Sequence, residues 1–146
     1  MNQKNLPQLY SLTAMGIATF LGSALAAGYM LAKNYSALGQ PQMGRYALIG
    51  SIVLVLVFIA LPGLFTPNMT TAVVFMISQV VLVLFATNRL QGAMFRSFEE
   101  MGGKYYSVGK GVMVGVVASF IITAAWIFLV LLFGPQVGEL NVPPNS

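Results

Sequence analysis

Four long apolar runs constrain this chain more than any other feature, because none contains Asp, Glu, Lys or Arg in its interior. They cover approximately residues 9–32, 46–65, 70–87 and 111–133. A transmembrane helix needs about 20 mostly apolar residues, so each run is long enough to cross a bilayer. Backbone groups in lipid must satisfy their hydrogen bonds internally, and no sustained period-two alternation suggests a barrel. The sequence therefore predicts an all-α integral membrane protein with four transmembrane helices.

The composition agrees with a single membrane domain over residues 1–146. The chain is 58% hydrophobic and 7% charged, whereas a soluble domain is roughly 25% charged. It has no cysteine and no histidine, which excludes disulfides, zinc held by thiolate or imidazole, and haem held by histidine. We expect no cofactor. The net charge is +4, and the basic residues lie between the apolar runs. We therefore expect the lipid bilayer, not nucleic acid, to be the partner of these residues.

The basic residues predict an orientation, because Lys and Arg accumulate in cytoplasmic connections. Apart from Lys4, they all flank or occupy the first and third connections: Lys33, Arg45, Arg89, Arg96, Lys104 and Lys110. With four crossings, both connections lie on the cytoplasmic side and both termini lie outside the cytoplasm. We expect this N-out, C-out arrangement in a bacterial cytoplasmic (inner) membrane.

Two similar stretches begin near the ends of predicted helices. Residues 38–50 read LGQPQMGRYALIG, and residues 101–115 read MGGKYYSVGKGVMVG. Each starts with an apolar residue and glycine and contains a basic residue (Arg45, Lys110) five positions before another glycine. One explanation is a duplication that produced two parallel helical hairpins. The other is independent use of the same chemistry, in which glycine ends a helix and a basic side chain reaches the headgroups.

The third connection has the pattern of an amphipathic helix over residues 89–101. Its apolar positions are spaced by four, four and three residues: Leu90, Met94, Phe98 and Met101. That spacing predicts one apolar helix face, and we expect an interfacial helix lying on the membrane between helices 3 and 4. It would be a connector or a docking site for a cytoplasmic partner.

Small residues recur at steps of four in the first and last predicted helices. The stripes are Ala14, Ala18, Gly22 and Ala26, and Gly111, Gly115, Ser119 and Thr123. Small residues allow close helix approach in lipid, so the stripes either pack against each other or face a partner. Gln79, beside Ser78, is the amide deepest in a predicted span. It would be an interhelical clamp or part of a polar lining for a solute path.

Two segments resemble a pattern in small uncharacterised four-helix bacterial inner-membrane proteins. They are AAGYMLAKNYSALGQP and MGGKYYS, with Gly28, Asn34, Gly39, Gly102 and Gly103 as the residues that carry the resemblance. The resemblance implies a bacterial cytoplasmic membrane and no established activity. In size and topology the chain is also similar to immunity proteins that protect bacteria from pore-forming toxins.

The reactive side chains needed for catalysis or proton coupling are missing from the spans. The acidic residues Glu99, Glu100 and Glu139 lie outside them, so an intramembrane proton relay and a catalytic constellation are not expected. We predict a non-catalytic interaction protein, not an enzyme, that contacts another membrane protein or a second copy through its helices. The alternative is a homo-oligomeric channel or carrier for a neutral or anionic solute, lined by Ser78, Gln79, Ser119 and Thr123.

Overall fold

The computed structural model describes residues 6–60 and 68–133. These residues form four α-helices: α1 (Leu12–Ala37), α2 (Pro41–Ala60), α3 (Met69–Glu100) and α4 (Val108–Phe133). Each is long and apolar enough to cross a membrane, which confirms the prediction of an all-α, multi-pass membrane protein with four such helices. Residues 61–65 of the second predicted span lie outside the described residues.

Local capping explains where the helices begin. The Ser11 side chain accepts a hydrogen bond from the Ala14 amide, and the Asn68 side chain accepts one from the Thr71 amide at 2.7 Å. Such N-caps satisfy amides that have no partner inside the helix. α2 starts at Pro41, where the missing N–H of proline does no harm. α2 therefore begins five residues before the second apolar run, which was predicted to begin at residue 46.

α1 is a folded-back hairpin rather than one straight helix. Its helical geometry breaks at Gly22 and at Ser23, where φ is +65° and ψ is −176°. The Asn34 side chain bonds the backbone of Tyr10, 24 residues earlier, whereas 24 residues of straight helix would be about 36 Å long. Residues 12–21 therefore form a first arm and residues 24–37 a second arm that returns beside it. Gly22 and Ser23 are the tip of the α1 hairpin.

Both ends of the α1 hairpin lie at the same end of the molecule. Leu9 forms a parallel β-bridge with Tyr105, just before α4, and the second arm ends at the α1–α2 connection. We call this the basic end, because Lys33, Arg45 and Lys110 lie there. The expected N-out arrangement puts the start of the first run on the side opposite both basic connections, whereas in this structure Leu9 and Tyr10 lie beside them. The apolar run is long enough to cross, but its backbone reverses at the tip.

The α1 hairpin is also the centre of the bundle. It packs against α2, α3 and α4, whereas none of those three helices packs extensively against another within the described residues. Most of the buried apolar residues come from α1, and they are mainly small or flexible: Ala14, Met15, Ala18, Ala24, Ala26, Ala27 and Met30. The surrounding helices expose their Leu, Ile, Val and Phe side chains, as expected of surfaces that face lipid.

α3 continues without interruption through the segment predicted to be a separate interfacial helix. Residues 89–100 are its last three turns, and the predicted apolar face is not the packed one. Phe98 is 1% exposed, but Leu90 and Met101 are 58% and 44% exposed, and Met94 is half-buried. The packed face shares Phe98 with the predicted one but otherwise contains Gln91 and Phe95. The apolar pattern did not indicate the packed face of α3, because apolar side chains on the outer surface of a membrane protein face lipid.

The two similar stretches share one structural event, which is the way a helix ends. Gly39 and Gly102 both have φ of +76°, a conformation that favours glycine. At α1 the Gln40 amide donates to Tyr35 O, and at α3 the Gly103 amide donates to Phe98 O. Both ends are Schellman motifs. The halves otherwise differ, since α1 folds back while α3 is continuous, and two equivalent hairpins are not seen in the described residues.

Candidate functional site

The first arm of the α1 hairpin packs closely against α4. A Cβ atom at Gly111 would lie 2.9 Å from Ala14 Cβ, and one at Gly115 would lie 3.0 Å from Ala18 Cα. At the tip, Gly22 meets the backbone of Gly115. The structure thus brings together these members of the two predicted small-residue stripes. Helices that approach this closely are held together in lipid by van der Waals contacts between their backbones.

The remaining stripe residues lie elsewhere. Ala26 follows the tip and is fully buried in the second arm. Ser119 is half-buried, and its hydroxyl donates to Val116 O at 2.9 Å within α4. Thr123 is exposed. The last two residues of the α4 stripe therefore extend beyond the region that the α1 hairpin covers.

The second arm of the α1 hairpin meets α2 through Gly28. A Cβ atom at this position would overlap the Ser51 side chain, so the two backbones approach as closely as glycine permits. Ser51 is itself buried, and its hydroxyl donates to Leu48 O at 2.7 Å. Gly28, one of the residues on which the resemblance rests, thus has a packing role in this fold.

Asn34 closes the α1 hairpin at the basic end. The Tyr10 amide donates to Asn34 Oδ1 at 2.8 Å, and Asn34 Nδ2 donates to Tyr10 O at 2.9 Å. Asn34 is 1% exposed. The adjacent Leu9 amide donates to Lys104 O, and the Tyr106 amide donates to Leu9 O. One buried amide and one short β-bridge therefore fix the start of the α1 hairpin to its own end and to the α3–α4 connection.

The buried polar residues of α3 are not the ones predicted. Ser78 is exposed and Gln79 is half-buried, whereas Thr87 and Gln91 are 0% exposed. Thr87 Oγ1 and both polar side-chain atoms of Gln91 have no protein hydrogen-bond partner among the described residues. Sequence reasoning missed Gln91 because the span was taken to end at residue 87. The sequence signal for this packed face was the four-residue spacing of Val83, Thr87, Gln91 and Phe95, all of which are buried.

Basic residues at the basic end contact aromatic rings. The Nζ atom of Lys110 lies 4.3 Å from the Tyr106 ring centroid, and that of Lys33 lies 5.6 Å from the Tyr29 ring centroid. The Arg89 guanidinium lies 6.0 Å from the centroid of Phe85. These distances suit cation–π attraction. The other predicted basic residues are exposed: Arg45, Arg96 and Lys104.

Two tyrosines outside the helices, Tyr105 and Tyr10, have raised pKa values. Burial raises the pKa of Tyr105 to about 12, helped by its hydrogen bond and by the negative charge of Glu99, whose Oε1 accepts from the Tyr105 hydroxyl at 3.1 Å. Burial also raises the pKa of Tyr10, with smaller contributions from Tyr29 and Tyr106. The Tyr10 and Tyr106 ring centroids are 4.8 Å apart. The Tyr10 and Tyr106 rings are therefore in contact at the basic end.

Among the described residues, no three His, Cys, Asp or Glu side chains come together as a metal-binding group. What the molecule offers is apolar clefts between helices, small-residue contacts and a cationic end. No protein-family model matches the chain, and no significant match was found among curated proteins or solved structures.

Proposed function

We propose that this protein is a non-catalytic interaction protein of a bacterial cytoplasmic membrane that works through helix–helix contacts in the bilayer. Its partner would be a larger membrane protein for which it is an accessory or regulatory subunit, or a membrane-targeting toxin to which it confers immunity. The observation that carries the proposal is the exposed apolar surface of α3 and α4 in the half of the bundle beyond the tip of the α1 hairpin.

In that half α3 and α4 continue past the tip, so they no longer have α1 to pack against. The tip contacts α4 at Gly115 and Ala118, and α4 continues from Ala118 to Phe133, about 22 Å further. Leu21, just before the tip, shares a cleft with Val80 of α3, and α3 extends about 16 Å beyond Val80 to Met69. Trp126, Phe128 and Leu131 are 52%, 61% and 73% exposed there. This surface is suited to a helix from another chain.

The corresponding topology has three complete crossings. The basic end faces the cytoplasm, as the positive-inside rule requires. The α1 hairpin enters from that side and returns, since its first arm of ten residues, about 15 Å long, covers only half of a hydrocarbon core of roughly 30 Å. Buried irregular backbone at the tip is tolerated inside protein but not against lipid. In this proposal α2, α3 and α4 then cross, so residues 6–10 lie inside, unlike the expected N-out arrangement, and the end of α4 lies outside.

Photo-crosslinking in the native membrane tests this function. A photoreactive residue would replace Phe128 in the outer half of α4, with Phe85 of α3 as the matched control. Both are phenylalanines of similar exposure, 61% and 63%, but Phe85 lies in the half that the α1 hairpin already organises. We expect a protein adduct of defined mass from position 128 and lipid adducts alone from position 85. Lipid adducts alone at both positions would refute the interaction function.

A homo-oligomeric channel or carrier for a neutral or anionic solute remains the second candidate, because α1 breaks in mid-bundle. Discontinuous helices near the membrane midplane build solute and ion sites in several transporter folds. Ser119 and Thr123 would line a path between copies beyond the tip. A self-adduct at position 128 together with solute flux in liposomes would favour this candidate, and a self-adduct without flux for neutral or anionic solutes would argue against it.

A further inference from the structure

A cleft of about 500 Å³ lies between the second arm of the α1 hairpin, α2 and α4. Its lining is apolar except for one phenol and includes Leu25 and Tyr29 of α1, Leu48 of α2, and Met113 and Val117 of α4. The cleft lies between the tip of the α1 hairpin and the basic end. No residue of α3 lines it.

Three cations lie at the basic end of this cleft, one from each helix that lines it. Lys33 is four residues after Tyr29, Arg45 is three residues before Leu48, and Lys110 is three residues before Met113. Residues three or four apart share a helix face, so each cation continues a lining face by one turn towards the basic end. All three side chains are exposed.

No carboxylate from the lining helices neutralises these charges. In the described part of the chain the acidic residues are Glu99 and Glu100, both at the end of α3, and Glu99 accepts the Tyr105 hydrogen bond. Phenols lie beside two of the cations instead: Lys110 Nζ is 4.3 Å from the Tyr106 ring centroid, and Lys33 Nζ is 5.6 Å from the Tyr29 ring centroid. The mouth of the cleft therefore combines three positive charges with hydroxyl donors, which is the chemistry that holds a phosphodiester.

A second cleft among the described residues provides a contrast. It has a volume of about 290 Å³ and lies between the second arm, α2 and α3. One turn beyond its lining, the corresponding positions are Leu38, Gln40 and Met94, none of which is basic. Positive charge is therefore a property of the α1–α2–α4 cleft and not of every cleft at this depth.

We propose that the α1–α2–α4 cleft is a binding site for an anionic phospholipid of the cytoplasmic leaflet. The headgroup phosphate lies among Lys33, Arg45 and Lys110, and one acyl chain occupies the apolar cleft above them. The inference rests on the membrane placement given above, with the basic end at the cytoplasmic surface. It does not depend on which protein, if any, contacts the outer half of α4.

Lipid selectivity of the purified protein tests the site. The delipidated protein would be mixed with equal amounts of phosphatidylglycerol and phosphatidylcholine carrying identical chains, and bound lipid would be counted by native mass spectrometry. Because basic residues near the membrane surface attract anionic headgroups, we expect a preference for phosphatidylglycerol of about tenfold or more. Equal retention of the two lipids would overturn the proposal.

Two triple variants with the same change in charge separate a built site from general surface charge. K33Q/R45Q/K110Q removes the cations of the cleft, and R89Q/R96Q/K104Q removes three cations from α3 and the following connection. We expect the first variant to lose the preference and the second to keep it. Equal losses in both would show diffuse attraction and refute the site. If the first variant does not fold, K110Q alone should show a weaker preference.

A second pair of variants tests the acyl chain. Val117 lines the cleft and is 56% exposed, whereas Val116 is 41% exposed and does not line it. V117W should fill the cleft and reduce phosphatidylglycerol binding, while V116W should not. Inorganic phosphate is the competitor that distinguishes a headgroup site from a lipid site. Full displacement of lipid by millimolar phosphate, or equal binding by both variants, would show that the cleft does not hold a chain.

Discussion

The reversal of α1 rests on Asn34, and replacing this residue with leucine is the most direct test of the fold. The Asn34 side chain makes reciprocal hydrogen bonds of 2.8 Å and 2.9 Å with the backbone of Tyr10. Leucine has a similar size and cannot make either bond. Each bond contributes a net 0.5–1.5 kcal/mol, and the Tyr10 backbone groups would lose their partner, so N34L should lower the free energy of unfolding by about 2–3 kcal/mol.

The assay is reversible unfolding in mixed micelles of a mild detergent and dodecyl sulfate, followed by far-UV circular dichroism. The control is N88L, because Asn88 is an exposed residue of α3 and such substitutions usually change stability by less than about 0.5 kcal/mol. Amide hydrogen exchange at Tyr10 supplies a local readout, and we expect it to accelerate in N34L alone.

A straight α1 predicts a different result. Residues 10 and 34 would then lie about 36 Å apart, at opposite ends of the bundle. In that case N34L would resemble N88L in stability and the exchange of the Tyr10 amide would not change. That pair of results would refute the α1 hairpin and restore four complete crossings.

The other predictions address the basic end and the packing of the hairpin. The chain has no cysteine, so L9C/Y105C should form a disulfide on mild oxidation in membranes, because paired residues of adjacent strands are within disulfide reach; a failure to cross-link would argue against the Leu9–Tyr105 bridge. Folding raises the pKa of Tyr105 from 10.0 to about 12, so the stabilisation from its protonated phenol is complete below pH 10 and is lost as the pH rises towards 12. Thermal melts across that range should show a smaller loss in Y105F, and equal losses would contradict the shift. G28A should destabilise by about 1–3 kcal/mol through overpacking, whereas G50A, with no atom within 4 Å of its added Cβ, should be neutral or slightly stabilising in the same micelle assay.

The number and class of the helices could be predicted because apolar length is a strong signal. The bounds were less accurate, since capping residues and a helix-starting proline decide them. α2 includes Arg45, which the charge-based boundary excluded. The same signal could not distinguish a crossing helix from a folded-back one. Both need apolar residues, and both use small residues for packing.

The break at Gly22 and Ser23 has no local signature in the sequence. Ser23 adopts φ of +65°, which a non-glycine residue does only where the surroundings require it. The surroundings here are the contact of Gly22 with α4 and the pairing of Asn34 with Tyr10, both of which join residues far apart in sequence. The resemblance had drawn attention to Asn34, but nothing in the sequence indicated its partner.

The packed face of α3 was misplaced for a related reason, which concerns how apolarity is distributed in a bilayer. In water the apolar face of a helix marks the core, but in lipid the outer surface is apolar as well. The core of this protein includes many Ala, Gly, Met, Thr, Asn and Gln residues beside a few large ones such as Phe98, while Leu131 and Phe120 are 73% and 71% exposed. Stability in such a core comes from close backbone approach and hydrogen bonds more than from the volume of large side chains. Enlarging Gly115 should therefore destabilise this protein more than truncating Leu131, which is the reverse of the usual order in a water-soluble domain.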